Sequence, residues 1–170
     1  MRLAFVSVSG RGATDAVLEA VVALLGAEGT ALAGTVQTDS RREGRSKCDM
    51  DLRVLPDGPV LRISQDLGEM ARGCRLDGGA LEVAAAEVAR RLEGAALLVV
   101  NKFGKQETLG RGMVPVIVEA IGRDIPVLVG VNGLNRPAFL EFAGGLAEAL
   151  PAEPEAIAAW ARAAIMADAV

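Results

Sequence analysis

Two strings in this sequence carry the residue types from which a phosphate or oxyanion site is built. The first is Ser7-Val8-Ser9-Gly10-Arg11-Gly12-Ala13-Thr14-Asp15. Glycines and hydroxyls ahead of a helix bring backbone N–H groups to an anion, and the helix dipole favours negative charge there. A working phosphate loop reads G-x-x-x-x-G-K-[ST], its lysine reaching the β/γ-phosphates and its hydroxyl holding magnesium. Here glycines lead into the helix, as in that loop, and the lysine is missing. Arg11 supplies charge without the same point contact, and Asp15 at the helix start repels a polyphosphate. An ordinary glycine-rich strand-to-helix turn is the competing reading.

The second string is Asn101-Lys102-Phe103-Gly104-Lys105-Gln106-Glu107. Nucleotide-hydrolysing phosphate-loop proteins place a magnesium-linked acid at such a strand end. Asn101 stands there instead, and Glu107 is the nearest carboxylate. Lys102 and Lys105 suit the loop to an anion better than to a metal, with a solvated turn as the alternative.

A third cluster, Arg41, Arg42, Arg45 and Lys47 against Asp39 and Glu43, is either a solvated loop or a lid of cations closing over an anionic ligand. As a lid it orders on binding, and losing Arg42 and Arg45 together weakens anion binding well over tenfold. Cys48 follows Lys47, and Cys74 lies between Gly73 and Arg75. Cationic neighbours favour a reactive thiolate, and buried filler is the competing role. Asp49, Asp51 and Asp77 are expected to pair with nearby cations rather than bind a metal.

What is missing narrows the chemistry further. The chain of 170 residues has no His and no Tyr, so Ser–His–Asp triads, Cys–His pairs and His-bearing zinc sites are excluded. Two cysteines without CxxC spacing make no disulfide framework. With 51% hydrophobic and 24% charged residues at net charge −4, the composition is that of a folded domain. The acidic balance and 3% aromatic content argue against nucleic-acid binding. No apolar stretch reaches the ~20 residues of a membrane span, and the N-terminus lacks a signal-peptide core, so a cytoplasmic location without membrane insertion is expected.

The elements that must position these strings follow from periodicity. Residues 3–8 read as a buried strand, and Val17, Leu18, Val21, Val22, Leu24 and Leu25 give the next helix a wide apolar face. Residues 30–36 form a second strand, and 37–47 read as a long loop. Residues 51–55 and 60–64 form a β-hairpin about Pro56-Asp57-Gly58-Pro59. Helices are expected at 78–92, 110–122, 137–150 and 153–166, with strands at 95–100 and 125–131. Alternating strands and helices predict one α/β domain over 1–170, a mostly parallel sheet covered by helices on both faces. The basic loop and hairpin, 38–75, form an insertion within it. In such sheets ligands bind outside the carboxyl ends of the strands.

Cys48-Asp49-Met50-Asp51-Leu52, Ile63-Ser64-Gln65-Asp66-Leu67-Gly68, Cys74-Arg75-Leu76-Asp77 and the Asn101–Glu107 string resemble an uncharacterised bacterial family, domain of unknown function 2478. The resemblance covers about residues 3–150. It implies a P-loop-like three-layer sandwich related to small nucleoside triphosphatases, and some members are linked to molybdenum transport.

The expected function is binding of a phosphate group or an oxyanion such as molybdate, tungstate or sulfate. Ser9, Gly10, Arg11, Gly12 and Thr14 would face Asn101, Lys102 and Lys105 across the crevice, and Arg42, Arg45, Lys47 and Arg75 would close it. The alternative is a weak magnesium-dependent nucleoside triphosphatase, with Arg11 replacing the lysine and Glu107 or Asp77 the missing acid. A third reading is a pseudo-enzyme acting through a protein partner. Ile157 and Trp160 on the last helix either pack on their own domain or form a homodimer contact.

Overall fold

The computed structural model describes residues 1–40, 49–66 and 76–168. The apolar run Leu3–Val6 is strand β1, followed by helix α1 at Ala13–Ala27 and strand β2 at Leu32–Ser40. The hairpin is β3, Asp49–Leu55, and β4, Val60–Arg62; helix α2 spans Gly78–Arg90. Strand β5, Leu97–Val100, leads into the short helix α3, Lys105–Thr108, and then α4, Val114–Gly122. Strand β6, Val127–Gly130, helix α5, Arg136–Ala143, strand β7, Ala147–Ala149, and helix α6, Pro154–Asp168, complete the chain.

These strands form one seven-stranded sheet in the order β4-β3-β2-β5-β6-β1-β7. β2, β5, β6, β1 and β7 run parallel, and β3 is antiparallel to both β2 and β4. β1, β5 and β6 are buried at every residue because helices cover both faces, which is why they read as unbroken apolar runs. Successive side chains point to opposite faces. Leu3, Phe5, Val100, Val127 and Val129 pack with residues of α2, α4 and α5. Val6, Leu97, Val99 and Leu128 pack with α1 and α6. Phe139 anchors the first layer, its ring centroid 5.2 Å from Phe5 and 5.3 Å from Phe103. Ile157 of α6 lies in the second layer, with Trp160 packed against it and donating from Nε1 to Glu148 Oε2 at 3.1 Å. Among the described residues no helix is long and apolar enough to cross a membrane.

Gly34 holds β2 against β5. Its φ is +121°, and a Cβ there would stand 1.8 Å from the Val99 carbonyl oxygen, so no other residue fits at this approach.

Three expectations about elements are corrected. β2 does not give way to a loop at residue 37 but continues to Ser40, because β3 pairs with it from Gly34↔Leu55 to Ser40↔Asp49. Beyond Gly34, the last β2 residue paired with β5, this ribbon runs on past the carboxyl edge of the parallel sheet, and Thr38 and Asp39 are solvent-exposed. The polar composition that read as a loop is therefore that of a protruding ribbon. The helix expected over 137–150 ends at Ala143, with Gly144 and Gly145 both at positive φ. The chain then adds β7 parallel to β1. Ala-Glu-Ala has helical propensity, and the open edge of β1 overrides it. Within the loop expected over 101–107, Lys105 opens α3.

Asp77 is the N-cap of α2, its Oδ1 accepting from Ala80 N at 3.1 Å. Asp77→Ala is expected to lower stability by about 0.5–2 kcal/mol, as cap removal does. Asp77→Asn, which keeps an acceptor, should recover most of it in urea denaturation. Equal stability of all three proteins would remove the cap from the account.

Candidate anion site

Because β1, β2, β5 and β6 are parallel, their carboxyl ends open on one edge of the sheet, and the loops that follow them gather there. After β1 the chain turns through Gly10 and Gly12, and Gly12, in the left-handed region at φ 71°, is the N-cap of α1. The Thr14 hydroxyl folds back over this turn: Val8 N donates to Oγ1 at 3.1 Å, and Oγ1 lies 3.4 Å from the Val8 carbonyl, to which it donates. The turn is thus locked by its own hydroxyl. The phosphate-loop pattern places its lysine at Ala13 and its magnesium-binding hydroxyl at Thr14.

Asn101, buried at the end of β5, joins three elements. Its Oδ1 accepts from Gln37 N at 2.8 Å, its Nδ2 donates to Asp15 Oδ1 at 3.0 Å, and its backbone N–H points to Thr35 Oγ1 at 3.4 Å. The side chain continues the ladder where β2 leaves β5 and ties both to the first turn of α1. An aspartate there would lack the donor to Asp15. Burial pushes the Asp15 carboxyl above its ordinary value; the bond from Asn101 opposes that rise, Asp39 adds to it, and Lys102 opposes it.

Glu107 is 4% exposed and spans the base of the next loop. Its Oε2 accepts from Gly104 N at 2.9 Å and its Oε1 from Met113 N at 3.1 Å. Glu82 Oε1 accepts from the neighbouring Gly112 N at 2.8 Å. Gly112 has φ +61°, and a Cβ there would lie 2.2 Å from Glu107 Oε1, so the tight turn and the buried carboxylate require each other. Burial raises the Glu107 pKa above its ordinary value, against the lowering effect of the N–H bonds from Met113 and Gly104; nearby Glu82 raises it further.

These loops enclose one side of a cavity of about 560 Å³. Arg11, Lys102 and Lys105 reach its wall, as do Asn101, Asn132, Thr35 and Gln37. The three cations are exposed, and among the described residues they form no ion pair. The rest of the lining includes an apolar wall, Met50 and Leu52 of β3, Ile63 after β4, Leu76 before α2, Leu81 of α2 and Met113; Leu52, Ile63 and Leu81 form one cluster with Met50 and Leu76 packed against it.

The predicted residues therefore divide. Arg11, Asn101, Lys102, Lys105 and Glu107 meet at the cavity. Ser9, Gly10, Gly12 and Thr14 belong to the same turn as Arg11 but do not line the cavity. Arg42, Arg45, Lys47, Arg75, Cys48 and Cys74 lie outside the described residues. The two carboxylates named for catalysis both hold backbone N–H groups, Glu107 at the loop base and Asp77 at the α2 cap. Asp49 pairs with Arg62 at 3.3 Å, and Asp51 pairs with the same guanidinium at 2.9 Å. Thr35, Gln37 and the apolar wall carry no mark in the sequence that sets them apart from ordinary strand and core residues. The alternation Met50–Leu52 in the hairpin, with Leu81 on α2, signals apolar burial there without telling a wall from a core.

A magnesium-nucleotide centre does not fit this donor set. The lysine position is Ala13, the Thr14 hydroxyl is bonded to Val8, and Asn101 holds the place of the acid through its amide. Among the described residues no three His, Cys, Asp or Glu side chains form a group able to hold a metal ion.

The family described as Protein of unknown function (DUF2478) matches residues 3–160. The chain is 35% identical over 135 residues to the Molybdenum import ATP-binding protein ModC 2 of Bradyrhizobium diazoefficiens; the match covers 79% of this chain and 15% of that longer protein. Its fold is similar to the crystal structure of THEP1 from the hyperthermophile Aquifex aeolicus (TM-score 0.61, 16% identity, covering 100% of this chain and 97% of that one). It is also similar to the solution structure of a human cancer-related nucleoside triphosphatase (TM-score 0.58, 17% identity, covering 88% and 87%). These likenesses identify a P-loop nucleoside triphosphatase-like α/β fold.

Proposed function

The chain belongs to the DUF2478 family, and from that premise we propose that it is a cytoplasmic anion-binding protein that holds a phosphate group or an oxyanion at the carboxyl edge of its sheet. The observation that carries this reading is the convergence of Arg11, Lys102 and Lys105, without ion-pair partners among the described residues, on one cavity. Like charges brought together at a concave site repel until an anion neutralises them, and hydrogen bonds to an ionised acceptor are the strong ones. Asn101 and Asn132 supply polar contacts beside the cations. With Ala13 at the lysine position and Asn101 at that of the acid, the site is suited to holding an anion rather than to cleaving one. The name of the ModC 2 relative makes molybdate one of the anions to test.

Calorimetry at low salt with molybdate, tungstate, phosphate and sulfate is expected to give saturable heat with at least one of them. No heat from any would overturn the reading. In a parallel phosphate-release assay with ATP and magnesium, the protein is expected to add nothing to the background rate. A magnesium-dependent rate abolished by Glu107→Gln would make the triphosphatase reading the better one.

A further inference from the structure

The cavity is larger and less polar than an inorganic oxyanion requires. Its 560 Å³ falls in the range of roughly 300–1,000 Å³ typical of sites for drug-sized organic ligands. A tetrahedral inorganic anion would engage the cations and leave the apolar part of the lining without a partner. That part consists of Met50, Leu52, Ile63, Leu76, Leu81 and Met113, brought together from β3, the residues flanking β4 and α2, α2 itself and the loop before α4. Leu134, on the rim between Asn132 and Asn135, is 87% exposed although it borders the cavity. A lining that combines three cations with a cluster of leucines and flexible methionines matches a ligand with a charged head and an apolar body.

Resting on the anion-binding reading, we propose that the physiological ligand class is a small organic phosphate ester. Its phosphate meets Arg11, Lys102 and Lys105, and its flat or apolar body lies on the Met50–Leu81 wall beneath Leu134. Apolar surface removed from water adds affinity in proportion to its area, so the body contributes what an inorganic anion cannot.

Three probes separate the two walls by calorimetry on the full chain: 2-naphthyl phosphate, inorganic phosphate and 2-naphthol. The ester is expected to bind at least roughly tenfold tighter than either of the others. Leu134→Ser, at an exposed position, and Met50→Gln, at a half-buried one, should each weaken the ester by roughly threefold or more and leave inorganic phosphate unchanged. Circular dichroism of both variants confirms that they are folded. Equal affinity for ester and inorganic phosphate would overturn this inference and leave the anion site standing. Equal affinity for ester and naphthol, or no binding of any probe, would also overturn this inference, and the anion-binding reading falls with it only if molybdate, tungstate and sulfate give no heat either.

Discussion

Replacing Arg11, Lys102 and Lys105 together by alanine is expected to weaken anion binding by more than about a hundredfold while leaving the fold intact. A hydrogen bond to a charged group contributes about 1.5–3 kcal/mol, and solvent exposure reduces that toward ~1 kcal/mol per contact. Even the lower figure, summed over three cations, reaches about 3 kcal/mol, and every ~1.4 kcal/mol is tenfold. The side chains are exposed and form no ion pair among the described residues, so their removal breaks no salt bridge, and only Asp15 loses a nearby positive charge, that of Lys102. Calorimetric titration of the best-bound anion, with a thermal melt of each protein, reads both quantities. The affinity of the triple variant should also depend less on ionic strength, since fewer charges remain to be screened. Unchanged affinity would take the anion away from these three residues.

The second large effect is on stability. Glu107→Ala removes the acceptor of two buried N–H groups, Gly104 and Met113, and empties the space that Gly112 leaves for the carboxylate. At about 1.5–3 kcal/mol for each bond to a charged acceptor, the loss is roughly 3–6 kcal/mol. For a chain of this size that lowers the melting temperature by roughly 10 °C. A change below about 1 kcal/mol would show that the carboxylate does not support the loop.

The sign of the pH dependence follows from burial. Glu107 holds its proton more tightly folded than unfolded, so its contribution is fully present below its unfolded pKa and is lost as pH rises through the raised folded value. Asp15 acts in the same direction. Wild-type stability should therefore fall across that window. Glu107→Gln and Asp15→Asn should each flatten the fall, as measured by urea midpoints at a series of pH values. A fall unchanged in both variants would assign it to other groups.

What could be read locally from the sequence concerned burial periodicity and loop chemistry. Unbroken apolar runs at β1, β5 and β6, short and bounded by polar or glycine-containing turns, read as strands covered on both faces, and the spacing of Leu18, Val21, Val22 and Leu25 buries one side of a helix. Such patterns reside in neighbouring residues, as does the clustering of Lys102 and Lys105 after a strand, so the parallel sheet and the cationic edge were both legible. The extent of β2 and the existence of β7 depend on a partner strand supplying hydrogen bonds, and polar residues carry no local mark of that pairing. The Asn101 junction reaches Gln37 across 64 positions and Asp15 across 86, and only folding brings them within 3 Å of one another's polar atoms. The apolar wall likewise assembles from a hairpin, a helix and a loop whose leucines and methionines are individually indistinguishable from core residues. Whether an apolar side chain closes a core or lines a cavity is decided by what the chain places opposite it, and that is a property of the tertiary structure alone.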